Sequence, residues 1–151
     1  MQFISDNLIE KTWQHIDGFG ANEIRKLQKR HRKAQNALMM YVNSDILEFR
    51  EDAFGLLLYA FHVVIEASAK AKPRPKRVSK HQINSVSMDK KIRTSFTIDL
   101  IIERSSEPAA IKYVYEAFTE CDDVVLSMHE MEAFLITMEV VIECLHKACH
   151  M

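Results

Sequence analysis

Only three prolines interrupt this chain of 151 residues, and two of them, Pro73 and Pro75, are separated by a single arginine. Proline inside a helix removes a hydrogen bond and clashes with the preceding turn. Long helices can therefore run on either side of that pair but not through it. Glycine is equally scarce, at three residues. Such low usage excludes a turn-rich sandwich, a collagen and a low-complexity chain, and it predicts a mainly α fold. The length suits a single domain, 1–151. A chain of this size buries roughly 70% of the surface its unfolded form exposes, so folding requires neither disulfide nor metal.

The helical spacing predicts five helices. Ser5 or Asp6 caps a first helix over about 6–17, with Leu8, Ile9, Trp13 and Ile16 on its apolar side and Gly18 at its end. Ile24, Leu27, His31, Ala34, Leu38 and Tyr41 step by three and four residues, predicting a second helix that ends near Asn43. Asp45 and Glu48 form a capping box for a third helix running to about Ala69. Ser105 or Ser106 caps a fourth helix with Pro108 in its first turn. Asp122 or Asp123 starts the last helix, where Val124, Met128, Met131, Leu135, Met138, Ile142, Leu145 and Cys149 alternate steps of four and three as in a packing seam. The third and last helices are expected to build the core.

Between the N-terminal helices (1–69) and the C-terminal pair (104–151), residues 70–103 read as a basic arm. Nine basic residues against Asp89 alone give residues 70–93 a charge of +8. Residues 92–103 alternate apolar and polar side chains, with Ile101 as the exception, as a half-buried strand does. Residues 82–88 supply a partner strand, so a β-hairpin is expected within the arm.

Charge divides along the chain: residues 1–93 carry +7 and residues 94–151 carry −8. The halves can attract one another or a partner of opposite sign. The longest nearly uninterrupted apolar run, 53–65, is shorter than the roughly 20 residues that span a bilayer. The first residues lack the basic start and apolar stretch of a secretory signal. Cys121, Cys144 and Cys149 are odd in number and form no CxxC, so a reducing compartment, the cytoplasm, is expected, with no membrane insertion.

Two polar seams carry the candidate chemistry. On the last helix His129, Glu132, Glu139, Glu143, His146 and His150 share a narrow face, and on the third helix Glu48, Glu51, Asp52, Tyr59, His62 and Glu66 do the same. Amphipathicity turns such faces to water, and that is the expected arrangement. Turned inward, the carboxylates would need cations or protons, because an isolated buried charge is very costly. His62, Glu66, Glu139, Glu143 and His146 are then the candidate metal ligands, together with Cys149 and His150 in the tail, and zinc or iron suits those donors. Glu143-x-x-His146 partly resembles the ligand scheme of di-iron helical bundles, but the chain holds one such segment where that scheme uses two.

A basic surface is the second candidate. Arg25, Lys29, Arg30, Arg32 and Lys33 on the second helix join Arg74, Lys76, Arg77, Lys80, Lys90, Lys91 and Arg93 in the arm, a composition that attracts phosphate backbones or an acidic protein. No nucleic-acid reading motif accompanies them. Nor does the chain contain a nucleophile elbow, a phosphate-binding glycine loop or a zinc-protease motif. The expected function is therefore that of a non-enzymatic helical interaction protein that self-associates. A metal-binding bundle built on the Glu/His seams and a nucleic-acid binder acting through the arm are the alternatives.

Overall fold

Ser5 starts the chain's first helix as expected: its hydroxyl accepts the Leu8 N–H at 3.1 Å, and α1 (Asp6–Asp17) ends at Gly18. The architecture comes from a computed structural model that describes residues 2–91 and 98–149, without the side chains of residues 89–91 and 98–100. Seven further helices follow: α2 (Ala21–Ala34), α3 (Asn36–Asn43), α4 (Glu51–Lys70), α5 (Lys80–Lys91), α6 (Ile98–Arg104), α7 (Pro108–Thr119) and α8 (Met128–Ala148), with a 3-10 turn at Ile46–Glu48. A mainly α fold is thus borne out, and no strand occurs among the described residues.

Several boundaries differ from the expectation, each for a local reason. The second helix was expected to be continuous to Asn43, yet it breaks at Gln35. There the buried side-chain amide clamps a returning segment, donating to the Lys76 carbonyl at 3.1 Å and accepting the Val78 N–H at 2.9 Å. Asp45 and Glu48 do not cap α4, because both are engaged elsewhere: Asp45 accepts the Thr137 hydroxyl, and Glu48 meets His129 at 2.7 Å. The last helix starts at Ser127, not at Asp122 or Asp123. Its hydroxyl accepts the Glu130 N–H while Glu130 accepts the Ser127 N–H, closing a capping box.

The expected hairpin is overturned where it is described. Residues 82–88 lie in α5, initiated by a reciprocal pair in which Ser79 accepts the Gln82 N–H and Gln82 accepts the Ser79 N–H. Ile83 and Val86, three residues apart, are buried together on its inner side. Residues 98–103 lie in α6, and Ile101, the residue that broke the alternation, is buried. Residues 92–97 of the expected strand lie outside the described residues. Over residues 71–78 the basic stretch does not project either. Val78 is fully buried, Ala71 is nearly so, and the Lys76 N–H donates to the Ala148 carbonyl at the end of α8.

Buried side chains from Ile4 to Ala148 form one contiguous cluster. Its centre is α4, in which every residue from Ala60 to Ser68 is buried. With 20 residues, α4 is long and apolar enough by composition to cross a membrane, but 67% of its most apolar stretch is buried by the helices around it, as in a core helix. On α8, Phe134, Met138 and Val141 are fully buried, and Phe134 packs against Phe118 and Phe49 with ring centroids 5.0 and 6.3 Å apart. Of the expected heptad seam, Met138, Ile142 and Leu145 are buried, whereas Met128 faces outward.

One carboxylate ties both ends of the described chain together. Glu107, 1% exposed, caps α7 through its backbone and accepts the Phe3 and Ile4 N–H groups at 2.9 and 2.7 Å. Its other oxygen meets His146 Nδ1 at 2.5 Å. Buried donors stripped of their acceptor cost about 1–3 kcal/mol each. Glu107→Ala should therefore lower the unfolding free energy by about 3 kcal/mol or more and speed amide exchange at Phe3 and Ile4. Denaturant unfolding with hydrogen-exchange NMR measures both, and a loss under about 1 kcal/mol would show that this carboxylate is not the tie.

Candidate functional site

The polar seams fold differently from expectation. Their N-terminal parts are hydrated: Glu48, Glu51, Asp52, His129 and Glu132 are exposed or partly so. Their C-terminal parts are enclosed, with His62, Glu66, Glu139 and His146 all buried. The cause is packing. α4 is apolar around most of its circumference, so α2 closes over the end that carries His62 and Glu66.

Two separate polar clusters result. In the first, His62 Nδ1 lies 2.8 Å from His31 Nδ1, with the rings stacked 5.0 Å apart. His31 Nε2 is 3.5 Å from Glu66, whose other oxygen takes Arg30. A hydrogen bond between two ring nitrogens holds one proton, and a carboxylate only accepts. The arrangement of neutral rings that satisfies both contacts has His62 donating to His31 and His31 donating to Glu66. Burial, the adjoining His31 and the charge of Arg32 push His62 down to about 4, against the opposing pull of Glu66. Glu66 is held below the usual carboxylate range by its hydrogen bond from His31, against burial and with help from Arg30 and Lys70.

The second cluster is His146 on Glu107. Around it Ser106 donates to Glu143 at 2.6 Å, and Cys149 Sγ approaches the Pro73 carbonyl at 3.5 Å. The structure therefore joins His62 to Glu66 but leaves Glu143, His146 and Cys149 on other partners. His150 lies outside the described residues. Among the described residues no three His, Cys, Asp or Glu side chains form a group that could hold a metal ion.

The basic residues divide similarly. Arg25, Lys29, Arg30, Arg32, Lys33, Arg74, Lys76, Arg77 and Lys80 are all exposed. Arg30, Arg74 and Arg77 line one small pocket of about 180 Å³ at the ends of α2 and α4. The Lys90 and Lys91 side chains and Arg93 lie outside the description.

A larger cavity lies elsewhere, a groove of about 690 Å³ between α1, α4 and α7. Helical spacing on α1 brings Asp6, Glu10, Trp13 and Asp17 to one wall. The same spacing on α7 brings Tyr113 and Glu116 to the other, continued by Glu120 and Cys121, while Leu56 and Tyr59 of α4 form the floor. Five carboxylates line the groove and Lys112 is its one cationic lining residue. Tyr59 donates to Asp17 at 3.4 Å, and burial together with that carboxylate pushes the phenol up to about 12. Tyr113 is raised further by burial, with the Tyr59 and Asp17 charges adding. Its hydroxyl is the one buried side-chain polar atom without a hydrogen bond among the described residues.

Sequence reasoning assigned Trp13 to the apolar side of α1. Ile9 and Ile16 of that side are buried as expected, together with Thr12, but Trp13 is 37% exposed at the groove. The recurrence of acids at positions 6, 10 and 17 around Trp13 was the available signal. No known family model, curated protein or solved structure matches this chain.

The enclosed His62 makes stability depend on pH. A histidine lowered from 6.5 to about 4 on folding leaves the unfolded chain with more protons between those values. Its contribution is complete above pH 6.5 and is lost as pH falls toward 4. At most this amounts to about 3 kcal/mol. Urea unfolding from pH 7 to 5 should show stability falling well before the carboxylates titrate, and His62→Leu should flatten that slope. A wild-type stability that stays constant over the same range would contradict an enclosed, neutral His62.

Proposed function

We propose that the chain is a non-enzymatic helical interaction protein whose working surface is the acidic groove between α1, α4 and α7, and that its occupant is a basic peptide segment of a partner. The observation that carries this reading is the convergence of five carboxylates and three aromatic rings on one cavity with a single lysine. Cationic side chains are attracted both to carboxylates and to the faces of Trp and Tyr. The buried Tyr113 hydroxyl offers a hydrogen bond from the α7 wall. A cavity of this size falls in the range that encloses a few side chains.

A shared metal centre has less support, because Glu66 and His146 are each satisfied by partners in separate clusters. Three free thiols fit the reducing, cytoplasmic setting expected from cysteine usage.

Self-association is a second reading with its own observation. Ile46 and Leu47 are exposed on the 3-10 turn, Leu47 at 95%, next to exposed Val125 and Met128. The two segments are held together by Arg50, which donates to the Val125 carbonyl and pairs with Glu130, and by Glu48 on His129. Such an apolar end suits a second copy. Light scattering should then show an oligomer that Leu47→Lys dissociates.

Trp13, the chain's single tryptophan, reports on the groove directly. Titration with a short arginine-rich peptide should change its fluorescence saturably, and an acidic peptide of equal length should not. Combined Glu10→Gln, Asp17→Asn and Glu116→Gln should weaken binding about tenfold or more with helicity unchanged. Equal affinity of wild type and variant, or no binding of the basic peptide, would sink this function.

A further inference from the structure

The small pocket at the ends of α2 and α4 has a construction the groove does not share, and it concerns the opposite charge. Arg30, Arg74 and Arg77 line it, and Glu66 is its single carboxylate residue. Arg74 and Arg77, on either side of Pro75 and Lys76, are held in place by backbone. Arg74 Nε donates to the Ala69 carbonyl at 3.0 Å, and Arg77 donates to the Lys33 carbonyl at 2.5 Å. The segment between them is fixed in turn by buried Gln35, which bonds Lys76 and Val78. Arg30 rests on Glu66, itself supported from behind by His31.

Each guanidinium has five N–H donors, and Arg74 and Arg77 each use one on a carbonyl. Crowded cations of this kind repel unless an anion lies among them, and the guanidinium fork matches the oxygens of a phosphoryl group. Glu66 offsets one of the three charges and leaves the lining positive. A volume of about 180 Å³ accommodates a tetrahedral oxyanion with its attachment directed to solvent, and is too small to enclose a nucleoside. We propose that this pocket is a binding site for a phosphoryl oxyanion, the terminal group of a phosphate monoester or free phosphate. The site stands independently of the acidic groove, and it separates three of the basic residues from the diffuse positive face to which Arg25 and Lys29 belong.

The test is an NMR titration of the full chain with inorganic phosphate, following the arginine Nε–H signals, beside a parallel titration with a phosphoserine peptide. Saturable shifts are expected at Arg30, Arg74 and Arg77. Arg74→Gln and Arg77→Gln should each weaken binding about tenfold, while Arg25→Gln on the same basic surface should leave it within about twofold. Arg74→Lys, which keeps the charge and loses the fork, should fall between. Phosphate that binds without the peptide would assign the free anion, and both binding would assign the esterified group. Equal losses for Arg25→Gln and Arg74→Gln would show diffuse attraction instead of a site. Absence of saturation below about 10 mM phosphate would overturn the proposal outright.

Discussion

The fold depends on what happens to α4. This helix carries apolar side chains around most of its circumference, so no single neighbour can cover it and it must be surrounded. Burial of its residues from Ala60 to Ser68 brings His62 and Glu66 out of water along with the valines and isoleucines beside them. An unpaired polar group in that position costs several kcal/mol, of the order of 2–7. α2 supplies the compensation: His31 lies where its apolar stripe would continue, and Arg30 reaches Glu66 from the surface side. The polar requirement of α4 at this end is therefore met by α2, while α1, α7 and α8 complete its apolar cover.

The two candidate surfaces follow from how far that enclosure extends. Where α2 closes over α4, its C-terminal turn and the returning basic segment leave the small arginine-lined pocket. Toward the other end α4 is flanked by α1 and α7, and the gap between those two exposes Leu56 and Tyr59 as the floor of the acidic groove. Charges do not simply follow the division between the two chain halves, because three of the groove's five carboxylates, Asp6, Glu10 and Asp17, belong to the basic half. Some gather at separate cavities, negative between α1 and α7 and positive beside α2.

Much of the helical layout was legible from local rules. Ser5 and Gly18 bound α1 because capping is decided by residues within one turn. The importance of α4 and α8 follows from apolar content alone. Other features depended on partners distant in sequence. Gln35 breaks a helix only because Lys76 and Val78 return to it. Asp45 and Glu48 form a cap by spacing, but Thr137 and His129 claim them. The alternation at residues 98–103 imitated a strand, and Ile101 was the one residue that contradicted it. Ser105 or Ser106 reads locally as the cap before Pro108, but Glu107 takes that position, and nothing near it announces that Phe3, Ile4 and His146 converge there. Among the candidate ligands, the one-helix spacing of His62 and Glu66 survived into a real cluster. Its third member, His31, had been read as part of an apolar stripe.

The central claim is that a core helix carries its polar seam inward onto α2. Imidazole ¹⁵N–¹H spectra recorded across a pH series test it most directly. We expect His62 to show a slowly exchanging Nδ1–H bonded to His31 at neutral pH and to stay uncharged down to about pH 5. A His62 ring that exchanges freely and titrates near the ordinary histidine value of about 6.5 would place the seam in water and contradict the account.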